Sequence, residues 1–284
     1  MEGGHVQAGE PSQTARGAAA YRAIHQRLES GAIFCDPFAT KILHDEPRAR
    51  LDEPAADLSL RPMRLFIAAR SRFSEDTLAA CVGRGVRQIV VLGAGLDTFS
   101  LRNPHASLGV RVFEVDSPAT QGWKRERLKQ AGLAIPASLT FAPVDFERQS
   151  LADGLAAAGF QADRRAFFQW LGVVPYLTRE AVSATLDFIA SVPGSEVVFD
   201  YAEPYENYPD ARRENVVAVA ARAASLGEPW LSLFDPAELA GLLRNSGFGL
   251  VEDLGMAEIA ERFYGALKQD VSIGAGPHVV RAQR

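Results

Sequence analysis

The segment Ile89-Val-Val-Leu-Gly-Ala-Gly-Leu-Asp97 leads an apolar run straight into the turn Gly93-Ala94-Gly95. Glycine takes positive φ at no steric cost and lets the backbone approach a ligand where a side chain would block it. Many tight strand-to-helix turns also carry two glycines, so this turn alone leaves a purely structural role open. In a dinucleotide fingerprint a third glycine, three residues after the second, allows close helix packing and a pyrophosphate at the helix N-terminus. Thr98 stands there, which disfavours a pyrophosphate cofactor. About twenty residues beyond the glycines, Val112-Phe-Glu-Val-Asp116 ends in a carboxylate that can accept both hydroxyls of a ribose. A nucleoside fits this pattern better than a dinucleotide.

Charges at strand ends also serve solubility, so the carboxylates need separate arguments. Glu114 interrupts an apolar strand expected to be buried on both faces, where an unpaired carboxylate is costly; it requires a donor and reads as a supporting group. Asp116 lies where a ligand crevice should open and takes the ribose. Further on, Ala142-Pro-Val-Asp145-Phe146 sets a carboxylate beside an aromatic ring, a pair suited to an adenine amino group and base. Asp145 reads equally well as the N-cap of a nearby helix. In Phe167-Phe-Gln-Trp-Leu-Gly-Val-Val-Pro-Tyr176, Tyr176 can face a substrate, although a core tyrosine with a bonded hydroxyl is the commoner arrangement.

These residues need a scaffold, and the pattern from Arg87 supplies one. Short apolar or β-branched runs predict strands at Gln88–Leu92, Val110–Val115, Leu139–Val144, Ala166–Trp170 and Glu196–Asp200. Helical segments fall between them at Pro118–Ala131, Leu151–Ala158 and Arg179–Ala190, the last with Thr178 as N-cap. Strands joined by helical crossovers lie parallel, which predicts a doubly wound α/β sheet with ligands outside the carboxyl ends of the strands. Helices over Thr14–Ser30 and Pro62–Val82 precede the first strand and form an N-terminal cap. After helices at Asn215–Ser225 and Pro236–Ser246, GFGLVEDLG and HVVRAQR read as the last two strands of the same sheet. The expected organisation is a loose terminus over 1–14 and a single domain over 15–284, with residues 15–86 as cap.

Of the 284 residues, 47% are hydrophobic and 23% charged, which excludes a disordered chain. A net charge of -5 without a basic run argues against nucleic acid and anionic membrane as partners and favours a small molecule. Cys35 and Cys81 form no disulfide framework, and the five histidines lack metal-ligand spacing. With no signal-peptide pattern and no run approaching ~20 apolar residues, a cytoplasmic location is expected.

Taken in order, CDPFA, AARSRF, LGAGLDTFSLR, FEVDSP, PVDF and WLGVVPYLT resemble the leucine carboxyl methyltransferase family, closest to its bacterial branch of polyketide O-methyltransferases of the tetracenomycin type. The resemblance implies a class I methyltransferase fold, a seven-stranded sheet whose last strand is antiparallel, and S-adenosyl-L-methionine as cofactor. By the same resemblance Gly93, Ala94 and Gly95 border the methionine part, Asp116 holds the ribose, and Asp145 and Phe146 address the adenine. It also pairs Arg70 with the cofactor's carboxylate; a solvated helix charge is the alternative, since Arg72 is adjacent. Eukaryotic members carry a glutamate where this chain has Leu171, which turns the expectation from a protein substrate to a small-molecule acceptor of specialised metabolism.

A carboxylate acceptor needs no base, whereas a phenol or enol does, and Asp200 at the end of the fifth strand is the candidate. Its alternative is a turn-forming aspartate before Tyr201. The aromatic stretch Tyr201–Tyr208 is expected, with Tyr176 and the cap, to roof the crevice. Two rivals to an O-methyltransferase are an NAD-type oxidoreductase, disfavoured by Thr98, and a non-catalytic protein that only binds the cofactor.

Overall fold

The computed structural model describes residues 13–44, 55, 57–145, 148–269 and 274–284. Its strands are β1 (Gln88–Leu92), β2 (Arg111–Asp116), β3 (Leu139–Pro143), β4 (Ala166–Trp170), β5 (Glu196–Ala202), β6 (Leu250–Leu254) and β7 (Pro277–Gln283). They form one seven-stranded sheet in the order β3-β2-β1-β4-β5-β7-β6. β7 runs antiparallel to both β5 and β6, and the other pairings are parallel. β1 and β4 match the expected strands, and the ends of β2, β3 and β5 shift by one or two residues. The largest shift extends β5 to Ala202, so Asp200 lies within the strand and is neither its end nor a turn.

The helices are α1 (Gln13–Leu28), α2 (Ala39–Ile42), α3 (Arg61–Gly83), α4 (Phe99–Arg102), α5 (Pro118–Gln130), α6 (Leu151–Ala157), α7 (Arg179–Ser191), α8 (Asp210–Ser225), α9 (Pro236–Asn245) and α10 (Met256–Ile259). Local chemistry sets several starts. Ser117 and Thr178 accept the N–H groups of Thr120 and Ala181, both at 3.2 Å, satisfying donors that the first helical turn leaves free. Pro62 and Pro236 sit in the first turns of α3 and α9, where a missing N–H does no harm. The nearest helix after Asp145 is capped by Ser150, so the N-cap reading of Asp145 does not hold.

The sheet separates two cores. On one face Ile89, Val91, Val112, Phe167 and Val198 pack against α1, α2 and α3. On the other Val90, Phe113, Phe168, Val197 and Phe199 pack against α6, α7 and α9. Because side chains alternate along a strand, Glu114, Gln169 and Asp200 all project toward the α1–α3 face. In register Glu114 and Gln169 flank Val91, which puts a buried polar row across the middle of that face. Sheet order reverses between β1 and β4, and the crevice at such a switch point is where doubly wound sheets bind ligands. Among the described residues, no helix is long and apolar enough to cross a membrane.

Candidate functional site

A cavity of about 1200 Å³ opens at the carboxyl ends of β1, β2 and β4 under α1 and α8. Its floor is the glycine turn. Gly93 and Gly95 have φ of +60° and +41°, a region costly for any other side chain. A Cβ on Gly95 would stand 2.9 Å from the Cβ of Ala15, so the first turn of α1 lies directly on the turn. Ala94 is tied to β2 by its N–H to the Val115 carbonyl at 3.0 Å.

Asp116 lines the same cavity. Its Oδ2 accepts the Gly95 N–H at 2.7 Å and its Oδ1 the Ser117 N–H at 2.8 Å, which fixes the carboxylate against the turn. Burial pushes its carboxyl up from the usual aspartate range, against the pull of these two N–H groups. Glu114 has the donors it required: Lys124 Nζ and Ser100 Oγ, both at 2.6 Å. Lys124 also donates to the Asp97 carbonyl at 2.7 Å, so this buried pair steadies the far end of the glycine loop.

Arg70 enters from α3 and lines the cavity, 8% exposed. Its Nη1 donates to Asp200 Oδ2 at 2.6 Å, while its buried Nε has no hydrogen-bond partner among the described residues. The solvated-charge alternative is thereby removed. Gly172, with φ of +72°, leaves the guanidinium room; a Cβ there would come within 2.9 Å of Nη2. The Gly172 N–H donates to Asp200 Oδ1 at 2.6 Å. Both oxygens of Asp200 are thus engaged, and the residue is not among those lining the cavity. The sequence-based assignment of Asp200 as a base is corrected: it stands behind Arg70 and orients it.

Tyr176 lines the cavity from the 3-10 turn Val174–Tyr176, and burial pushes its hydroxyl up, so it stays protonated. Asp145 does not reach the cavity and pairs with Arg148 at 3.3 Å. Phe146 lies outside the described residues. The expected roof from Tyr201–Tyr208 is also corrected: Tyr201 is on the opposite face of β5, buried, its hydroxyl on Asp253 at 2.7 Å. The cap helix α1 and Tyr176 line the cavity as expected, and α8 with the segment through Leu231 takes the place of Tyr201–Tyr208.

Sequence reasoning missed the residues that hold the cap on the site. Asp36 of CDPFA is fully buried and accepts from Arg22 Nε at 2.8 Å and Thr98 Oγ1 at 2.7 Å. Burial alone would raise its carboxyl; Arg22 and Arg102 bring it below the usual range. Arg22 also donates to the Leu96 carbonyl at 2.8 Å, so Thr98 and Leu96 bind the glycine loop to the cap. Glu228 was missed as well. It follows α8 in an irregular segment with no periodicity to flag it, and it accepts the Thr14 N–H at 3.0 Å.

The sequence profile of the leucine carboxyl methyltransferase family matches residues 15–190. A Bacillus subtilis protein assigned as an S-adenosyl-L-methionine-dependent methyltransferase, YktD, is 34% identical over 96% of this chain and 98% of its own length. A Mycobacterium avium protein with the same assignment is 33% identical over 78% of this chain and 76% of its own. Among solved structures, a DUF574 family protein from Streptomyces avermitilis shares the fold, with a TM-score of 0.59 and 15% identity over 99% of this chain and 100% of that one. With the sheet order and antiparallel last strand of a class I methyltransferase, the chain belongs to the leucine carboxyl methyltransferase family.

Proposed function

We propose that this chain transfers a methyl group from S-adenosyl-L-methionine to an oxygen of a small molecule bearing a carboxylate or an acidic hydroxyl. The observation that carries the reading is Asp116 beside the glycine turn. A carboxylate has roughly four acceptor positions, and the Gly95 and Ser117 N–H groups use two, leaving capacity for two ribose hydroxyls. Arg70, with a buried Nε that has no partner among the described residues and a guanidinium anchored by Asp200, suits the carboxylate of the methionine part bordered by Gly93, Ala94 and Gly95.

Bound there, S-adenosyl-L-methionine supplies a methyl group already activated by its sulfonium charge. The chain's task is to hold an acceptor in line and exclude water, and positioning alone accelerates such reactions greatly. Tyr21, Met63, Leu171, Val219 and Trp230 add apolar surface to the cavity lining, as a small-molecule site requires. Tyr176, protonated, donates a hydrogen bond toward the acceptor. An acidic chain without a basic stripe is poorly suited to a polyanion. Two free cysteines fit a reducing compartment, and we place the protein in the cytoplasm.

Thermal denaturation tests the cofactor. S-adenosylhomocysteine at 100 times its dissociation constant should stabilise the fold by about 2.7 kcal/mol, and NAD should leave it unchanged; the opposite pattern refutes the reading. Incubation with methyl-labelled S-adenosyl-L-methionine and either metabolite extract or macromolecules tests the acceptor, and label confined to protein or RNA would overturn it.

A further inference from the structure

Four carboxylates line the cavity among the described residues: Asp57, Asp97, Asp116 and Glu228. Asp97 is engaged on both oxygens, by the Phe99 N–H at 2.8 Å and Gln169 Nε2 at 3.1 Å, as Asp116 is by Gly95 and Ser117. Asp57 is exposed and accepts the Ser59 N–H. Glu228 differs. It is buried, 7% exposed, with Oε2 on the Thr14 N–H at 3.0 Å, while Oε1 takes no hydrogen bond among the described residues. Two residues on, Trp230 lines the same wall; its buried indole Nε1 makes no hydrogen bond of ordinary length among the described residues, and the Tyr176 hydroxyl lies beside it. A ligand hydroxyl in the cavity can satisfy both groups, donating to Glu228 Oε1 and accepting from Trp230 Nε1.

Four arginines line the cavity among the described residues: Arg22 is held by Asp36 and the Leu96 carbonyl, Arg70 is assigned to the cofactor's carboxylate, and Arg16 and Arg222 complete the set.

We propose that Glu228 is the proton acceptor for the group being methylated and that Trp230 Nε1 donates to the same oxygen, so the acceptor is a hydroxyl on an apolar ring, a phenol or enol, and not a carboxylate. This rests on the methyltransferase reading. In the step, a lone pair of the acceptor oxygen forms the new O–C bond to the methyl carbon. The S–C bonding pair stays on sulfur as a neutral thioether, and the hydroxyl proton passes to Glu228 Oε1, which later returns it to solvent. A carboxylate acceptor would set two like charges together, which an interface rejects strongly.

The test is calorimetry with 2-naphthol and 2-naphthoate on protein saturated with S-adenosylhomocysteine, for the wild type and Glu228→Gln. Glutamine keeps an acceptor for the Thr14 N–H, so the roof stays in place. The wild type should bind 2-naphthol at least about tenfold tighter than 2-naphthoate, and Glu228→Gln should reduce that preference to about threefold or less, with S-adenosylhomocysteine affinity unchanged. Naphthoate bound as tightly by the wild type, a preference that survives in the variant, or no saturable binding of either probe overturns the proposal. A tenfold loss of S-adenosylhomocysteine affinity in the variant also overturns it, assigning Glu228 to the cofactor. Wild-type protein that fails to bind S-adenosylhomocysteine refutes the methyltransferase reading itself.

Discussion

The two faces of the sheet solve different problems with the same strands. Against α6, α7 and α9 the face is apolar, and edge-to-face rings run from Phe113 through Phe160 and Phe168 to Phe188 at centroid distances of 5.6, 6.1 and 6.2 Å. Toward α1 and α3 the same strands carry Glu114, Gln169 and Asp200, each met by a partner from a helix: Lys124, Ser74 and Arg70. Well-packed rings contribute mainly stability. Buried charged pairs contribute little net stability, so the row Glu114, Gln169 and Asp200 beside the glycine turn points to a positioning task there.

Two substitutions of similar size should separate the faces. Phe168→Ala removes the centre of the aromatic chain and should cost about 3–5 kcal/mol in urea denaturation, leaving the S-adenosylhomocysteine affinity of the folded protein intact. Lys124→Met strands a buried Glu114 and should cost about 3–5 kcal/mol, but the double variant Glu114→Leu with Lys124→Met should recover most of it. A double variant as unstable as the single one would erase the distinction.

Next in size is Asp200→Asn. It keeps an acceptor for the Gly172 N–H but removes the charge that holds Arg70. Hydrogen bonds to charged groups contribute about 1.5–3 kcal/mol, so S-adenosylhomocysteine should bind about tenfold or more weakly to the folded variant, which also loses stability because Arg70 is left buried without its counter-ion. Unchanged affinity would show that Arg70 needs no anchor.

The smallest effect lies at the β5–β7–β6 edge. His278 sits between Asp253 at 2.8 Å and Glu203 at 3.1 Å. Burial lowers its proton affinity, but the two carboxylates more than offset this, and the net shift is upward from 6.5. A histidine raised on folding stabilises fully below its unfolded value, and that contribution fades as pH rises through the folded value. Stability should therefore decline as pH rises from the unfolded histidine's 6.5 through the raised folded value, and His278→Gln should flatten the slope in denaturant titrations. An equal slope in the variant would remove His278 from the account.

Periodicity and turn chemistry made the strands, most helices and the glycine turn legible, because each is specified by neighbours in sequence. The need of Glu114 for a donor was legible too, since a charge in a doubly buried strand requires one. The pairing of Arg70 with Asp200 was not: they lie 130 positions apart, and only the folded register sets them together. Asp200 consequently read as a base when it is an anchor. The roof was misassigned for a related reason, because alternation along β5 sends Tyr201 to the face opposite Asp200.

The central claim is that the carboxyl ends of β1 and β2 form the cofactor site. Titration calorimetry of S-adenosylhomocysteine against the wild type and Asp116→Ala tests it most directly. The account predicts saturable binding by the wild type and, with two charged-acceptor hydrogen bonds lost, at least about tenfold weaker binding by a variant that remains folded. Equal affinity in the two proteins, or no binding by either, would contradict it.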